Sequence, residues 1–229
     1  FSKISTGRVA VGFAAMSAIS AAILLPMALE GHEIHHQVDW ISALGLKAGV
    51  LADPLSIIMA NVVGWISFLI MCYSTGYMKG DKDIVRFWFW MMFFIGSMQL
   101  IVLSDNLLQL FFGWEGVGLA SYALISFWYR DKAKHHVGKE GRSAFGIMEY
   151  YSPTHSGMKA FIMTKVGDVM MLAGMFMIFA FAGTFGFKEL LADTTWAVNM
   201  SAQSLLVPAA VLLFGGAIGK SAQFPLNEW

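Results

Sequence analysis

Charge and cysteine are both scarce in this chain. Charged residues make up 13% of its 229 positions, and fifteen Lys and Arg balance fifteen Asp and Glu. Zero net charge offers no basic surface for nucleic acid, which is excluded as an expected partner. The one cysteine, Cys72, cannot form a disulfide within the chain. It lies in an apolar run and is expected to be a small buried hydrophobe. With no cysteine cluster, haem motif or dinucleotide fingerprint, the chain is expected to hold no cofactor and no metal. No cleavable signal peptide is evident. The chain opens on Phe1 rather than methionine and stops at Trp229, just after an apolar segment. Both ends look cut, so residues 1–229 read as one transmembrane domain from a longer protein. What the chain has in excess is apolar residues, at 57%. That is too many for a soluble domain and points to an all-α, polytopic helix bundle in a lipid bilayer.

Apolar runs give about six spans, at 9–29, 54–78, 87–103, 106–129, 158–182 and 204–224. Asp53-Pro54 opens the second span with a capping side chain and a proline at the first helical position. Residues 30–52 and 183–203 read as polar connections on one side, and 79–86 and the long loop 130–157 on the other, with a cap expected at Ser156. With the N-terminal segment, that second side carries eleven basic residues against two, Lys47 and Lys188, on the first; the remaining two lie within spans. This asymmetry places the N-terminus of the chain and loop 130–157 in the cytoplasm of a prokaryotic cell.

The fourth span carries a carboxylate, Glu115, ten residues past Asp105. At helical rise that is about 15 Å, half of a hydrocarbon core roughly 30 Å thick. A charge at that depth costs about 2.5–3.5 kcal/mol on insertion scales and is by default functional. The structural alternative is a hydrogen-bond partner for a neighbouring helix. Gly113, Gly116 and Gly118 around it allow close packing. Lys165 and Asp168, three apart in the fifth span, share a helix face. Their alternative role is a local ion pair that eases insertion. Lys220 ends the sixth span, where Gly215 and Gly219 make a small-residue packing face. Gly219 and Pro225 around it suggest a broken helix, a device that builds ion sites in membranes. Its alternative role is an interfacial lysine. Lys165 and Lys220 are both candidates for the cation that pairs with Glu115.

Two patterns are decoys. Gly215–Ser221 is one residue short of a phosphate-binding loop and follows a helix rather than a strand. His32-Glu33-Ile34-His35-His36 matches H-E-x-x-H, which binds zinc only on a helix and with a third ligand. Glu30, Asp39 or Asp53 could complete it, so a membrane zinc protease is the remaining reading from another class.

The run SDNLLQLFFGWEGVGLASYALISFWY resembles the antiporter-like L subunit (subunit 5) of respiratory complex I. DPLSIIMANVVGWISFLIMCYSTGYM, KAFIMTKVGD and GAIGKSAQFPLNEW are similar to the same family in the same order, so the likeness covers about residues 53–229. It implies part of an inverted-repeat, antiporter-like fold lacking its first helix and second repeat. It implies a subunit without redox chemistry of its own in a proton-translocating NADH- or reduced-deazaflavin:quinone oxidoreductase, with other membrane subunits as partners. Glu115, Asp168 and Lys220 match the family's buried glutamate, aspartate and lysine, and Lys165 stands where arginine is common. All four would serve proton translocation, with the Glu115–Lys220 pair alternating between coupled and separated states. The long loop 130–157 is similar to archaeal complex-I-like enzymes. Multisubunit sodium/proton antiporters are the alternative within the same fold.

Overall fold

The structure, a computed structural model, describes residues 3–41, 46–144 and 146–229. Residues 42–45 of the connection 30–52 and residue 145 of the loop 130–157 lie outside it. The chain forms α1 (Lys3–Leu29), a hairpin of β1 (Ile34–Ile41) and β2 (Leu46–Ala52), α2 (Pro54–Tyr77), α3 (Ile84–Leu103) and α4 (Leu107–Ile125). A second hairpin follows, β3 (Val137–Ala144) and β4 (Ile147–Tyr151), then α5 (Pro153–Ala182), α6 (Phe187–Ala192), α7 (Thr195–Ala202) and α8 (Leu206–Lys220). Among the described residues, five helices are long and apolar enough to cross a membrane. The sixth expected span is a pair, α7 and α8, bent by 108°. The multi-pass helix bundle expected from the sequence is present, with two small antiparallel hairpins added at its ends.

Side chains set the helix boundaries. Asp53 accepts a hydrogen bond from Ser56 N at 2.7 Å, with Pro54 opening α2 as its sequence requires. Asn106 caps α4 by accepting from Gln109 N at 2.7 Å. The fifth span begins earlier than its apolar run, at Pro153, because Ser152 rather than Ser156 supplies the cap. Thr154, His155 and Ser156 therefore form a polar first turn, which satisfies its amides through Ser152 and Asp131.

Packing between helices relies on small residues. Ala10, Ala14, Ala18 and Ala21 form a buried stripe on α1, and Gly64 of α2 meets it at Ala18. In α5 and α8 the backbones themselves touch: a Cβ on Gly167 would lie 2.5 Å from the Gly215 carbonyl, and one on Gly174 would lie 2.8 Å from Leu213 N. Without a solvent-driven force between helices in lipid, such contact is how they associate. Polar side chains inside the bundle bond across it, Asn61 to Ala21 O at 2.8 Å and Gln99 to Ala60 O at 3.2 Å. Cys72 departs from expectation. It is exposed on the outer face of α2, because the buried face of that helix is taken by Ile57, Ala60, Gly64, Met71 and Ser74.

The two ends of the bundle are distinct. At one, Arg86 lies between the rings of Phe127 and Tyr129 and donates to Phe127 O, tying the α2–α3 turn to the end of α4. At the other, the β1–β2 hairpin docks on the α3–α4 turn. Gln109 bonds both the N–H and the carbonyl of Gly49, at 2.9 and 2.8 Å, and His35 reaches buried Asp105 at 3.3 Å. The H-E-x-x-H run begins just before β1 and ends inside it rather than on a helix, so His32 and His36 cannot share a helical face. Among the described residues no group of three metal-ligating side chains forms.

The glycine contacts make a direct prediction. Gly167→Ala should lower the melting temperature of the purified protein, by about 1–3 kcal/mol of overpacking, since backbone lies where its Cβ must go. Gly12→Ala, with no neighbour within 4 Å, should be neutral or slightly stabilising. Equal melting temperatures for the two variants would mean that α5 and α8 are not in backbone contact.

Candidate functional site

The four ionisable residues expected inside the spans meet in one cluster across three helices. Glu115 projects from α4, Lys165 and Asp168 from α5, and Lys220 from the last residue of α8. Lys165 Nζ bonds Glu115 Oε2 and also lies 3.3 Å from Asp168 Oδ2. Lys220 Nζ lies 3.8 Å from that same oxygen of Asp168. Two carboxylates and two ammonium groups thus alternate in sign, and the cluster carries no formal net charge. This matters because isolated buried charges cost several kcal/mol each, and removing one member leaves its partner uncompensated.

Asp168 is the centre, with only 1% of its surface exposed. Its Oδ1 accepts a hydrogen bond from Trp114 Nε1 at 2.8 Å, which leaves Oδ2 facing both lysines. Lys220 is the least satisfied member. Its Nζ is buried without a hydrogen-bond partner among the described residues, since 3.8 Å to Asp168 is an ion pair and not a hydrogen bond. The Trp114 ring lies 5.9 Å away, at the outer edge of cation–π range. Beside it a cavity of about 360 Å³ runs between α3, α4 and α5, lined by apolar side chains with Ser121, Tyr122, Thr164 and Lys220. A water needs about 10–15 Å³ of such space, so several fit next to the ammonium.

Local sequence explains why the lysine reaches this place. Gly118 has no side chain where the Lys220 ammonium sits, and a Cβ there would lie 2.5 Å from it. Gly167 and Gly219 let α8 press against α5, which brings Lys220 beside Asp168. The helix break expected near Lys220 is the end of α8 at that residue, followed by turns in which Trp229 Nε1 bonds Gly219 O at 2.9 Å. Fifteen residues of α8 make about 22 Å, short of a hydrocarbon core of roughly 30 Å. The lysine at its end is held within the bundle, with its ammonium buried.

The expected Glu115–Lys220 pair is not formed. Glu115 bonds Lys165, and Lys220, lodged against Gly118 of α4, turns to Asp168 instead. Thr164 bonds its own helix, donating to Phe161 O at 3.0 Å, and does not join the cluster. Trp114 went unnoticed in the sequence. Its signal was its place beside Glu115, since a tryptophan buried in an apolar span must find an acceptor for its N–H.

Residues 40–88 match the family described as the N-terminus of NADH-ubiquinone oxidoreductase (complex I) chain 5. Residues 143–229 match the transmembrane family of NADH:quinone oxidoreductase and Mrp antiporters. NADH-quinone oxidoreductase subunit L of Escherichia coli is 36% identical over 223 residues, covering 96% of this chain and 33% of that protein. The subunit L of Pseudomonas aeruginosa is 41% identical over 177 residues, covering 77% of this chain and 26% of its own length. This chain thus spans about a third or less of these relatives. The Mrp complex from Dietzia sp. aligns with a TM-score of 0.70 at 25% identity, over 99% of this chain and 24% of the chain it matches. An archaeal membrane-bound sulfane sulfur reductase shares the fold, at a TM-score of 0.67 and 18% identity, over 98% of this chain and 34% of its own.

The pairing is testable by a double-mutant cycle on thermal stability of the intact protein. Glu115→Gln and Lys165→Met should couple by about 1–3 kcal/mol, as residues in one ion-pair network do. Glu115→Gln and Lys220→Met, which share no contact, should couple more weakly than that, through Lys165 and Asp168 alone. Strong coupling in the second pair and none in the first would restore the pairing expected from sequence.

Proposed function

The chain belongs to the antiporter-like family of membrane subunits shared by NADH:quinone oxidoreductases and Mrp antiporters, and on that premise we propose that it is part of the proton-translocating L subunit of a complex-I-like enzyme. The observation that carries the reading is one buried carboxylate oxygen, Asp168 Oδ2, faced by two lysines. Lys165 has two carboxylates within reach, and its choice decides what is left for Lys220. While Lys165 bonds Glu115, Asp168 serves as counter-ion to Lys220. When Lys165 turns to Asp168, Lys220 shares its counter-ion and gives up a proton to the adjoining cavity. Electron transfer elsewhere in the complex supplies the energy that moves Lys165.

In this reading the subunit has no redox chemistry of its own, and works with other membrane subunits in a prokaryotic cell membrane. The end of the bundle that carries Arg86, Arg130 and the β3–β4 hairpin faces the cytoplasm, following its excess of basic residues. The alternative is a subunit of a multisubunit sodium/proton antiporter, favoured by the fit to the Mrp complex over nearly the whole chain. Purification with neighbouring subunits separates the two. Sodium/proton exchange with no quinone-reducing partner attached would select the antiporter.

Proton uptake into vesicles holding the assembled complex tests the mechanism. Glu115→Gln keeps shape and hydrogen bonding but gives Lys165 no charged rival to Asp168, so pumping should fall at least tenfold while subunit stoichiometry holds. Lys220→Met should abolish pumping. Lys220→Arg keeps a charge that is not released at physiological pH, and should restore assembly better than transport. Near-wild-type pumping in all three variants would overturn the proposal.

A further inference from the structure

The mechanism above uses the four charged residues and gives no part to the indole at their centre. Trp114 is adjacent to Glu115 in α4, so it moves with the carboxylate that competes for Lys165. Its Nε1 donates to Asp168 Oδ1 at 2.8 Å, and its ring stands 5.9 Å from Lys220 Nζ. It also lines the cavity beside that ammonium. One side chain therefore bonds the shared carboxylate, stands near the terminal lysine and lines the adjoining space. A half-buried tryptophan has no need of this hydrogen bond for packing alone, which phenylalanine would supply.

We propose that Trp114 is a positioning residue for proton translocation: by occupying one oxygen of Asp168 it aims the other at Lys165 and Lys220. The inference rests on the proton-translocating reading. The carboxylate can otherwise rotate, and each of its oxygens could take one lysine, so the two would no longer compete. With Trp114 bonded to Oδ1, both lysines are directed to Oδ2, at 3.3 and 3.8 Å. The charged groups that face Asp168 are Glu115 from α4, Lys165 from its own helix and Lys220 from α8; among the described residues no other ion pair to it is formed.

The test is Trp114→Phe in the full-length subunit within its assembled complex, with Asp168→Asn alongside. Phenylalanine keeps the ring and the packing and removes the N–H. Pumping at neutral pH should fall several-fold with subunit stoichiometry unchanged. Trp114→Gln, which restores an N–H donor without the ring, should recover part of the lost rate. A role in packing alone would leave it below Trp114→Phe. If Asp168→Asn stops pumping while Trp114→Phe keeps the wild-type rate, the positioning role is overturned and the proton-translocating reading stands. Normal pumping by Asp168→Asn would overturn both. If Trp114→Phe assembles poorly, the resonance Raman band that reports indole N–H hydrogen bonding answers in its place. That band should shift between wild type and Asp168→Asn, and an unchanged band overturns the proposal.

Discussion

Everything at the centre of this bundle depends on neutralising charge that the surrounding lipid cannot solvate. Asp168 does this for two lysines with one oxygen, and Glu115 makes it possible by holding Lys165. No pair in the cluster is self-sufficient. Taking Glu115 away leaves Lys165 and Lys220 with a single carboxylate, and taking Asp168 away leaves Lys220 with none within ion-pair distance. A cluster of alternating sign that is satisfied in more than one arrangement differs from a structural ion pair, which has one. Its stability comes from the sum of its members, and its possible function from the ambiguity of their pairing.

That ambiguity needs accurate placement, and the helices supply it through absent side chains. Gly118 makes room for an ammonium, while Gly167, Gly215 and Gly219 bring two backbones into contact. Close packing transmits displacement, since an interior at crystal-like density does not absorb it. At the far end the α4 base is fixed by Gln109 and Asp105 to the β1–β2 hairpin. Glu115 and Trp114 thus stand on a helix secured at one end by hydrogen bonds and packed along its length by glycine.

The sequence made the helices legible because their signals are local: long apolar runs, the Asp53-Pro54 start, and glycines at four-residue spacing. The four ionisable residues stood out because charge in such runs is costly. The start of α5 was misplaced because the polar turn Thr154–Ser156 hid a helix that Ser152 had already capped. The hairpins were invisible because neither IHHQVDWI nor VGKEGRSA alternates in polarity. The first is held by Gln109 and Asp105 from about 60 and 70 residues away. The partner of Glu115 was not legible either. Spacing within α5 puts Lys165 and Asp168 on one face, but which face meets α4 depends on packing that no single helix encodes.

The bend between α7 and α8 has a mechanical consequence. At 108° the two helices do not continue one another, so α8 meets the rest of the chain at an angle, through residues 203–205. Lys220 sits at the opposite end, about 22 Å away by helical rise. An arm of that length turns small rotations into large displacements: a tilt of about 5° at the bend carries its tip by about 2 Å. That distance is enough to separate an ammonium from a carboxylate it faces at 3.8 Å, or to bring it into hydrogen-bond contact. A shift too small to disturb the helices themselves would therefore be large at the one atom where it matters.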